Sequence, residues 1–402
     1  MTVATADSEL QTKRDERRTL GVASGAHALH DGYTDLIYVM LPVWQAEFGL
    51  SYAAIGALRG LFAGTMASLQ IPSGYLAEKL KPASVLAAGT ALAGLGYCLA
   101  GLSGSFMMLA IALAIGGIGA STQHPIASAL VARAFKGPRS LKALGGYNFA
   151  GDIGKMTIPA IAALMLTVMP WRSAVGILGA AGFVAAIAII LLTPRPSAAA
   201  PAQDAQEQAA RCPVSRLGFP TLLSIGVIDS ATRMGFLTFL PFILTAKGAS
   251  LPLIGISLTL VFAGGAVGKL VCAFIGARLG VTATVCLTET LTGILILAIL
   301  PLRLEAAIAI LPLLGIALNG TSSVLYGTIP EFVSPEKRTH AFAIFYTGGS
   351  VAGATGPLAS GFLGDAVGLP IALSAVACIA LTTVPMVWAL RPAFRSTPVP
   401  SA

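Results

Sequence analysis

The sequence predicts an all-α integral membrane protein with twelve transmembrane helices in two pseudo-symmetric six-helix halves. The first observation is the composition, which is 55% hydrophobic and only 10% charged, with a mean hydropathy of +0.83. Soluble domains carry roughly 25% charged residues, so this chain is expected to lie in a bilayer. The other two observations are a series of long apolar runs and an internal repeat.

Apolar runs of about 20 residues recur between short polar connections, and such a run crosses a hydrocarbon core of about 30 Å as a helix. Helices are predicted because every spanning backbone group must be satisfied internally, and the alternating pattern of barrel strands is weak here. The twelve predicted spans, numbered in chain order, are residues 20–44, 52–77, 83–103, 106–133, 141–167, 172–193, 218–245, 252–276, 281–301, 306–332, 338–363 and 369–390.

A polar segment divides the chain near its middle. Residues 194–217 are rich in Pro, Ala and Gln, which predicts a flexible cytoplasmic linker between the halves 20–193 and 218–391, with tails at 1–19 and 392–402. Of the 25 Lys and Arg residues, 18 lie in the tails, the linker and the loops on the same side, against three in the opposite loops. This asymmetry predicts cytoplasmic termini, and it accounts for the net charge of +8 without nucleic-acid binding.

The two halves repeat in parallel at an offset of 198 to 199 residues. In one match, 147-YNFAGDIGKMTIP-159 aligns without a gap with 345-FYTGGSVAGATGP-357. Both copies keep the glycine at the fifth position and the final proline, residues that serve helix packing and bending. Asp152 and Lys155 occur in the first copy alone. Parallel six-helix repeats predict a rocker-type secondary transporter with a substrate site near the membrane midplane.

These features resemble the major facilitator superfamily over nearly the whole chain. The loop after span 2, 74-GYLAEKLKP-82, is similar to the family's G-x-L-a-D-r-x-G-r motif. Gly74 matches that motif, Glu78 replaces the usual Asp, and Lys79 supplies a base. The resemblance implies that these three residues act in gating or conformational change.

Span 5 is similar to the G-x-x-x-G-P motif of the family's proton antiporters through Gly154 and Pro159, with Ile158 in place of the second glycine. Residues 27–51, HALHDGYTDLIYVMLPVWQAEFGLS, look like the first helix of the fosmidomycin-resistance group of exporters. The resemblance implies a bacterial inner-membrane transporter in which Gly154 and Pro159 have conformational roles.

Charged groups inside a span cost at least about 2.5–3.5 kcal/mol at a helix centre, so each marks a candidate functional site. Span 1 is the richest, because His27, Asp31, Asp35 and Tyr38 follow the i, i+4, i+8, i+11 spacing of one helical face. Two carboxyl groups one turn apart in a dry site can share a proton, which predicts proton coupling by Asp31 or Asp35. The alternative is that one of them pairs with a neighbouring helix. His27 and Tyr38 are predicted to bind substrate.

His30 lies on the adjoining face of span 1 and is a further candidate for substrate binding. A metal site formed by His27, His30 and the two aspartates is the alternative. The spacing of these residues resembles none of the usual zinc motifs. We therefore predict neither a metal nor a cofactor.

Span 5 places Asn148, Asp152 and Lys155 on one stripe. Asp152 and Lys155 either pair with each other or form a charged site. In that site Asp152 takes part in proton coupling, and Lys155 is the counter-ion of a span 1 carboxylate or binds an anionic substrate. Asn148 is a candidate for substrate binding. In span 7, Asp229 and Arg233 at i, i+4 either neutralise each other or belong to the substrate site. There the fork of Arg233 suits an anionic substrate or a carboxylate of another helix.

Three more polar residues lie within spans. Arg59 in span 2 either snorkels to the outer face or closes an outer gate with Glu47 or an aspartate of span 1. His124 in span 4 either lines the cavity or is a packing residue. Arg59 and His124 count among the candidates for substrate binding. Span 9 is peripheral in the resembling fold, which implies that Glu289 lies away from the pore.

Small residues at a four-residue spacing predict close helix crossings. Gly349 and Gly353 form such a pair on span 11, shortly before Pro357. The resembling fold implies that span 11 crosses span 2 and that these three residues take part in conformational change. The other stripes are Gly56, Gly60 and Gly64 on span 2, and Gly264 and Gly268 on span 8.

The sequence therefore predicts a proton-coupled secondary active transporter, not an enzyme. It is expected to export a small anionic or polar organic compound across the inner membrane by proton antiport and alternating access. We expect a monomer whose partners are its substrate, protons and the lipid bilayer. Two alternatives stay open: a proton symporter that takes up a small organic acid, and a non-transporting membrane sensor or scaffold on the same fold.

Overall fold

The structure, a computed structural model, describes residues 3–135, 137–194, 218–334 and 337–395. The predicted linker lies outside these ranges except for its first residue, and so does the C-terminal tail after residue 395. The described residues form fourteen α-helices and no strand. The helices are α1 (Val3–Phe48), α2 (Tyr52–Lys79), α3 (Pro82–Gly101), α4 (Phe106–Ala120), α5 (Gln123–Ala134), α6 (Pro138–Met165), α7 (Trp171–Leu192), α8 (Gly218–Ala246), α9 (Leu251–Leu279), α10 (Val281–Ile299), α11 (Leu304–Phe332), α12 (Arg338–Val367), α13 (Leu369–Leu381) and α14 (Thr383–Arg395).

Each of the twelve predicted spans coincides with one helix or with two consecutive helices. Span 4 is divided between α4 and α5 after Ala120, and span 12 is divided between α13 and α14 at Thr382. In both cases the second helix has a proline in its first turn, Pro125 or Pro385. Proline has no N–H to continue the hydrogen-bond ladder, so a new helix starts there.

The first helix extends well beyond its predicted span. α1 begins at Val3, so the predicted N-terminal tail is helical and continuous with span 1. Its 46 residues extend over roughly 70 Å at the usual rise per residue, about twice the thickness of a hydrocarbon core. The buried Glu16 accepts a hydrogen bond from Arg139 of α6, which fixes the extension against that helix.

Nine stretches of helix in the described ranges are long and apolar enough to cross a membrane. They correspond to spans 2–4, 6–10 and 12. The remaining predicted spans, 1, 5 and 11, correspond to α1, α6 and α12. α1 and α6 carry the buried acids and two of the three histidines of the candidate site, and α12 carries a glycine pair. These three helices are therefore the most polar of the predicted spans.

The described helices divide into two compact units. The first unit holds α1 up to Ile37, α2 from Gly64 onwards, and α3 to α7. The second unit holds residues Tyr38–Ala63 together with α8 to α14. The division follows the predicted halves except for Tyr38–Ala63, the end of α1 and the start of α2, which belong with the C-terminal helices.

Glycines permit close backbone contact inside the second unit. A Cβ added at Gly56 would meet the carbonyl of Pro357, and one at Gly60 would meet the carbonyl of Ala354. The start of α2 therefore packs directly on the backbone of α12. The two glycines of the α9 stripe pack on the backbone of α11.

Candidate functional site: a buried charged cluster on α1 and α6

Close packing of α1 on α6 builds the candidate site in the first unit. A Cβ added at Gly154 would meet the backbone of Ala28, so the two helices touch there. A Cβ added at Gly151 would lie 2.6 Å from Asp31 Oδ2 and 2.7 Å from His27 Cε1. The two glycines of α6 therefore make room for the acid and the imidazole of α1.

The central contact of the cluster is an ion pair between the two helices. Lys155 Nζ on α6 lies 3.3 Å from Asp31 Oδ2 on α1. The Asp31 side chain is 9% exposed, and that of Lys155 is 32% exposed. The carboxylate is thus buried, whereas the ammonium keeps partial access to its surroundings. Of the three roles that the sequence leaves open for Lys155, this contact corresponds to the counter-ion of a span 1 acid.

His27 occupies the other oxygen of the same carboxyl group. Its Nε2 lies 3.4 Å from Asp31 Oδ1, while its Nδ1 lies 2.9 Å from the backbone oxygen of Tyr147. Since a carbonyl oxygen only accepts, Nδ1 carries a hydrogen, and Nε2 of a neutral imidazole would present a lone pair to Asp31. The lone pairs of Nε2 and of the carboxylate then repel each other. A second proton at this contact, on His27 or on Asp31, replaces the repulsion with a hydrogen bond.

Two more imidazoles complete the cluster. His30 Nε2 lies 3.3 Å from His124 Nε2 of α5 and 3.8 Å from Asp31 Oδ1. A hydrogen bond between two ring nitrogens needs one proton between them. The cluster therefore holds three histidines around one acid, and His124 belongs to it.

The same atoms have ligand chemistry for a transition metal. One ligand atom from each of His27, Asp31 and His124 lies within 4.8 Å of the others, and imidazole with carboxylate suits zinc. Lys155 opposes this use, because its ammonium already holds one Asp31 oxygen and would repel a second cation. The charge balance of the cluster favours a proton over a metal ion.

The remaining candidates of the first unit lie around this centre. Asp35 on α1 and Asp152 on α6 are both buried. Asn148 is exposed, so the predicted stripe of α6 passes from an exposed residue to a buried acid and then to the half-buried Lys155. Their assignment to proton coupling and to substrate binding stays a prediction.

Tyr38 and Arg59 lie together in the second unit. Arg59 Nη2 donates to the Tyr38 hydroxyl at 3.1 Å, and the guanidinium lies 4.9 Å from the centre of the Tyr38 ring. The Tyr38 hydroxyl is 3.4 Å from the sulfur of Met234. Arg59 is 2% exposed, so it does not snorkel to the exterior, and its stacked position ties α2 to the end of α1.

The second unit also holds an acid pair that the sequence reasoning missed. Asp229 of α8 hydrogen-bonds to Glu289 of α10, and both side chains are buried. Arg233, one turn after Asp229, is half-buried. The signal for Glu289 was its position inside an apolar span, but the peripheral place of span 9 in the resembling fold had argued against a role.

The predicted conformational residues occupy different surroundings. Gly74 near the end of α2 is half-buried, and Glu78 and Lys79 are exposed. A Cβ at Gly349 would meet nothing within 4 Å, whereas one at Gly353 would lie 3.3 Å from the side chains of α8. Their part in gating stays a prediction.

Long apolar helices that bury an acid–lysine pair, histidines and further acids indicate a multi-pass membrane transport protein. A profile of the Major Facilitator Superfamily matches residues 24–224 and 222–402, and the chain belongs to that superfamily. Its fold is accordingly that of twelve transmembrane helices in two six-helix halves, and membership of this superfamily indicates a transporter and not an enzyme.

Three curated relatives are transport or resistance proteins of bacteria. The Fosmidomycin resistance protein of Escherichia coli is 32% identical over 164 residues, 41% of this chain and 40% of that protein. A probable L-galactonate transporter of Escherichia coli is 29% identical over 34% of this chain and 30% of its own length. A probable sulfoacetate transporter of Cupriavidus necator is 30% identical over 36% and 34%, respectively. The chain thus spans less than half the length of the curated relatives it matches.

Solved structures of transporters share the fold over almost the entire chain. A bacterial homologue of the human lysosomal transporter Spinster, in an inward-facing and occupied conformation, has a TM-score of 0.79 at 16% identity. That likeness covers 95% of this chain and 98% of the other. The nucleoside transporter NupG has a TM-score of 0.75 at 14% identity, over 94% of this chain and 100% of that one. Both likenesses concern the fold.

Proposed function

We propose that the protein is a proton-coupled secondary active transporter that moves a small organic anion across the bacterial inner membrane by alternating access. The observation that carries the proposal is the buried pair of Asp31 and Lys155, with His27 on the second carboxylate oxygen. This arrangement links the binding of a proton to the availability of a cationic group. Asp35 and Asp152 are proposed as further proton carriers.

The sign of this link follows from the charges. When Asp31 is ionised, it neutralises Lys155 and competes with any other anion for the ammonium. When Asp31 takes up a proton, the ion pair is lost and Lys155 becomes available to an anionic substrate. By reciprocity, a bound anion favours the protonated form of Asp31. Proton and anion therefore bind together, which favours proton symport.

The chemistry of the substrate rests on two supports. The ammonium of Lys155 and the guanidinium of Arg233 suit carboxylate, sulfonate or phosphonate groups. Two of the relatives are named for the transport of L-galactonate and sulfoacetate, which are organic anions. We propose that His27, His30, His124 and Asn148 also line the path of the substrate in the first unit.

Export by proton antiport is the second candidate, because another relative is named for resistance to fosmidomycin. In that case the anion and the proton would have to occupy the site in turn. Lys155 serves both states, because it pairs with the ionised Asp31 in one and with the anion in the other.

Transport into proteoliposomes with an imposed pH gradient of either sign tests the proposal. Radiolabelled fosmidomycin, L-galactonate and sulfoacetate serve as the first probes. Symport predicts accumulation when the outside is acidic, and antiport predicts accumulation when the inside is acidic. Asp31→Asn, a neutral stand-in for the protonated acid, should transport down a concentration gradient with a weakened response to the pH gradient. Gradient-independent flux by the unmodified protein would exclude proton coupling, and no flux of any probe would favour a scaffold.

A further inference from the structure

A pair of buried acids in the second unit, Asp229 and Glu289, takes no part in the cluster around Asp31. The two carboxyl groups are hydrogen-bonded to each other. Asp229 is 4% exposed and Glu289 is 1% exposed. An ionised carboxylate has no hydrogen to donate, so this contact requires a proton on one of the two groups. The contact between two buried acids thus places one proton between α8 and α10.

The surroundings of the pair supply little positive charge. Arg233 on α8 is the charged side chain that acts on Asp229 within the described part of the chain. The neighbouring helices contribute hydroxyl groups: Thr383 of α14 lies 3.4 Å from Glu289 Oε2, and Thr321 of α11 also bonds to Glu289. One cation can balance one carboxylate. The second negative charge would be uncompensated in a buried site, which keeps one proton bound.

Asp229 lies one residue before the position equivalent to Asp31, since the repeat offset in these two helices is 199, as Leu41 and Leu240 show. The two buried acids are neutralised in different ways. Asp31 pairs with Lys155, whereas the repeat mate of Lys155 is Gly353, and Asp229 pairs with Glu289. In the first half, loss of the ion pair frees the ammonium of Lys155. In the second half, the acid pair can give up its proton.

We propose that Asp229 and Glu289 form a second proton-binding site, which holds one shared proton at rest and exchanges it during the transport cycle. The exchange rests on the proposed function; the shared proton does not. Arg233 stabilises the ionised form of Asp229 that remains after the proton has left. The ligand of this site is the proton alone.

Infrared spectroscopy of the purified full-length protein in lipid tests the shared proton directly. The difference spectrum between the unmodified protein and the double variant Asp229→Asn with Glu289→Gln should show the carbonyl band of a protonated carboxyl group at neutral pH. Glu305→Gln, at an exposed position at the start of α11, is the control and should leave that band in place. A difference spectrum without a protonated carboxyl band would overturn the proposal.

The exchange is tested with Glu289→Gln, whose amide can still donate to Asp229 but cannot release a proton. A purely structural link predicts that this variant keeps both its unfolding temperature and the pH response of transport. Proton exchange predicts an unchanged unfolding temperature with a weakened response of fosmidomycin, L-galactonate or sulfoacetate flux to the pH gradient. An unaltered pH response would overturn the exchange. If the unmodified protein moves none of the probes, the proposed function fails, while the infrared band still decides whether the proton site exists.

Discussion

Lys155 Nζ lies 3.3 Å from Asp31 Oδ2, and this ion pair joins the first and fifth predicted spans inside one unit. The acid is buried, and its other oxygen faces His27. Each partner is thus held in place by the charge of the other, and a change in the protonation of Asp31 alters both stability and the availability of the ammonium.

Removal of the ammonium alone should destabilise the protein. Lys155→Gln leaves the Asp31 carboxylate buried without its cation, for which we expect a loss of roughly 1–3 kcal/mol in the free energy of unfolding. The double variant with Asp31→Asn also removes the buried carboxylate at this contact and should recover most of that loss. Thermal unfolding in detergent measures both effects, with the exposed Lys142→Gln on the same helix as the control. Equal unfolding temperatures for the single and double variants would contradict this account.

The helices could be predicted from the sequence because run length and hydropathy alone decide whether a segment can span a bilayer. The breaks before α5 and α14 were not predicted, although Pro125 and Pro385 supply the signal, since proline cannot continue a hydrogen-bond ladder. The long extension of α1 was not predicted either, because it depends on the tertiary contact of Glu16 with Arg139.

The site could be predicted in part. Helical spacing grouped the charged residues of span 1 on one face, but spacing within one helix does not say which residue of another helix lies opposite. Lys155 had two acids of span 1 and its own neighbour Asp152 as candidate partners, and the choice of Asp31 depends on how closely glycines let α1 and α6 approach. Glu289 was set aside by analogy with a fold, although its charge inside an apolar run was the better signal.

Gly151 should be intolerant of a side chain, and its repeat mate Gly349 should tolerate one. A methyl group at Gly151 would lie 2.6 Å from Asp31 Oδ2, whereas one at Gly349 would meet nothing within 4 Å. Gly151→Ala should therefore displace Asp31 from Lys155 and reduce transport. Gly349→Ala should keep transport and gain up to about 1 kcal/mol, since alanine is the better helix former. Flux and thermal unfolding are measured for both variants; equal effects would show that the contact at Gly151 is unimportant.

The cluster around Asp31 should not bind zinc while Lys155 is present. The ammonium holds one Asp31 oxygen, and a zinc ion on the other oxygen would place two cations on one carboxylate. Isothermal titration of Zn²⁺ into the tag-free protein should show no saturable binding. Lys155→Gln removes the competing charge, so a weak site formed by His27, Asp31 and His124 is expected in that variant. Saturable binding by the unmodified protein that His124→Ala abolishes would overturn the preference for a proton.

Asp365, which follows the predicted end of span 11, should stabilise the start of α2 in a pH-dependent way. Its two carboxylate oxygens accept hydrogen bonds from the backbone N–H groups of Tyr52 at 2.7 Å and Ala53 at 2.9 Å. These groups have no partner within their own helix, and the positive end of the helix dipole adds to the attraction. Slight burial acts to raise the pKa of Asp365, but the hydrogen bonds from Ala53, Tyr52 and Ser51 outweigh it and lower the pKa below its ordinary value of 3.8.

The direction of the pH effect follows from that lowered pKa. The contribution of Asp365 is complete above pH 3.8, the ordinary value, and is lost as the pH falls through the lower folded-state pKa. Because the side chain is exposed, we expect Asp365→Ala to cost only about 0.5 kcal/mol at pH 7, the low end for such caps. The difference from the unmodified protein should shrink in acid, whereas Asp365→Asn, a capping residue without charge, should differ little at any pH. Thermal unfolding of the variants at pH 7 and in acid measures these differences in stability. If Asp365→Ala costs the same stability at both pH values, the carboxylate charge does not contribute.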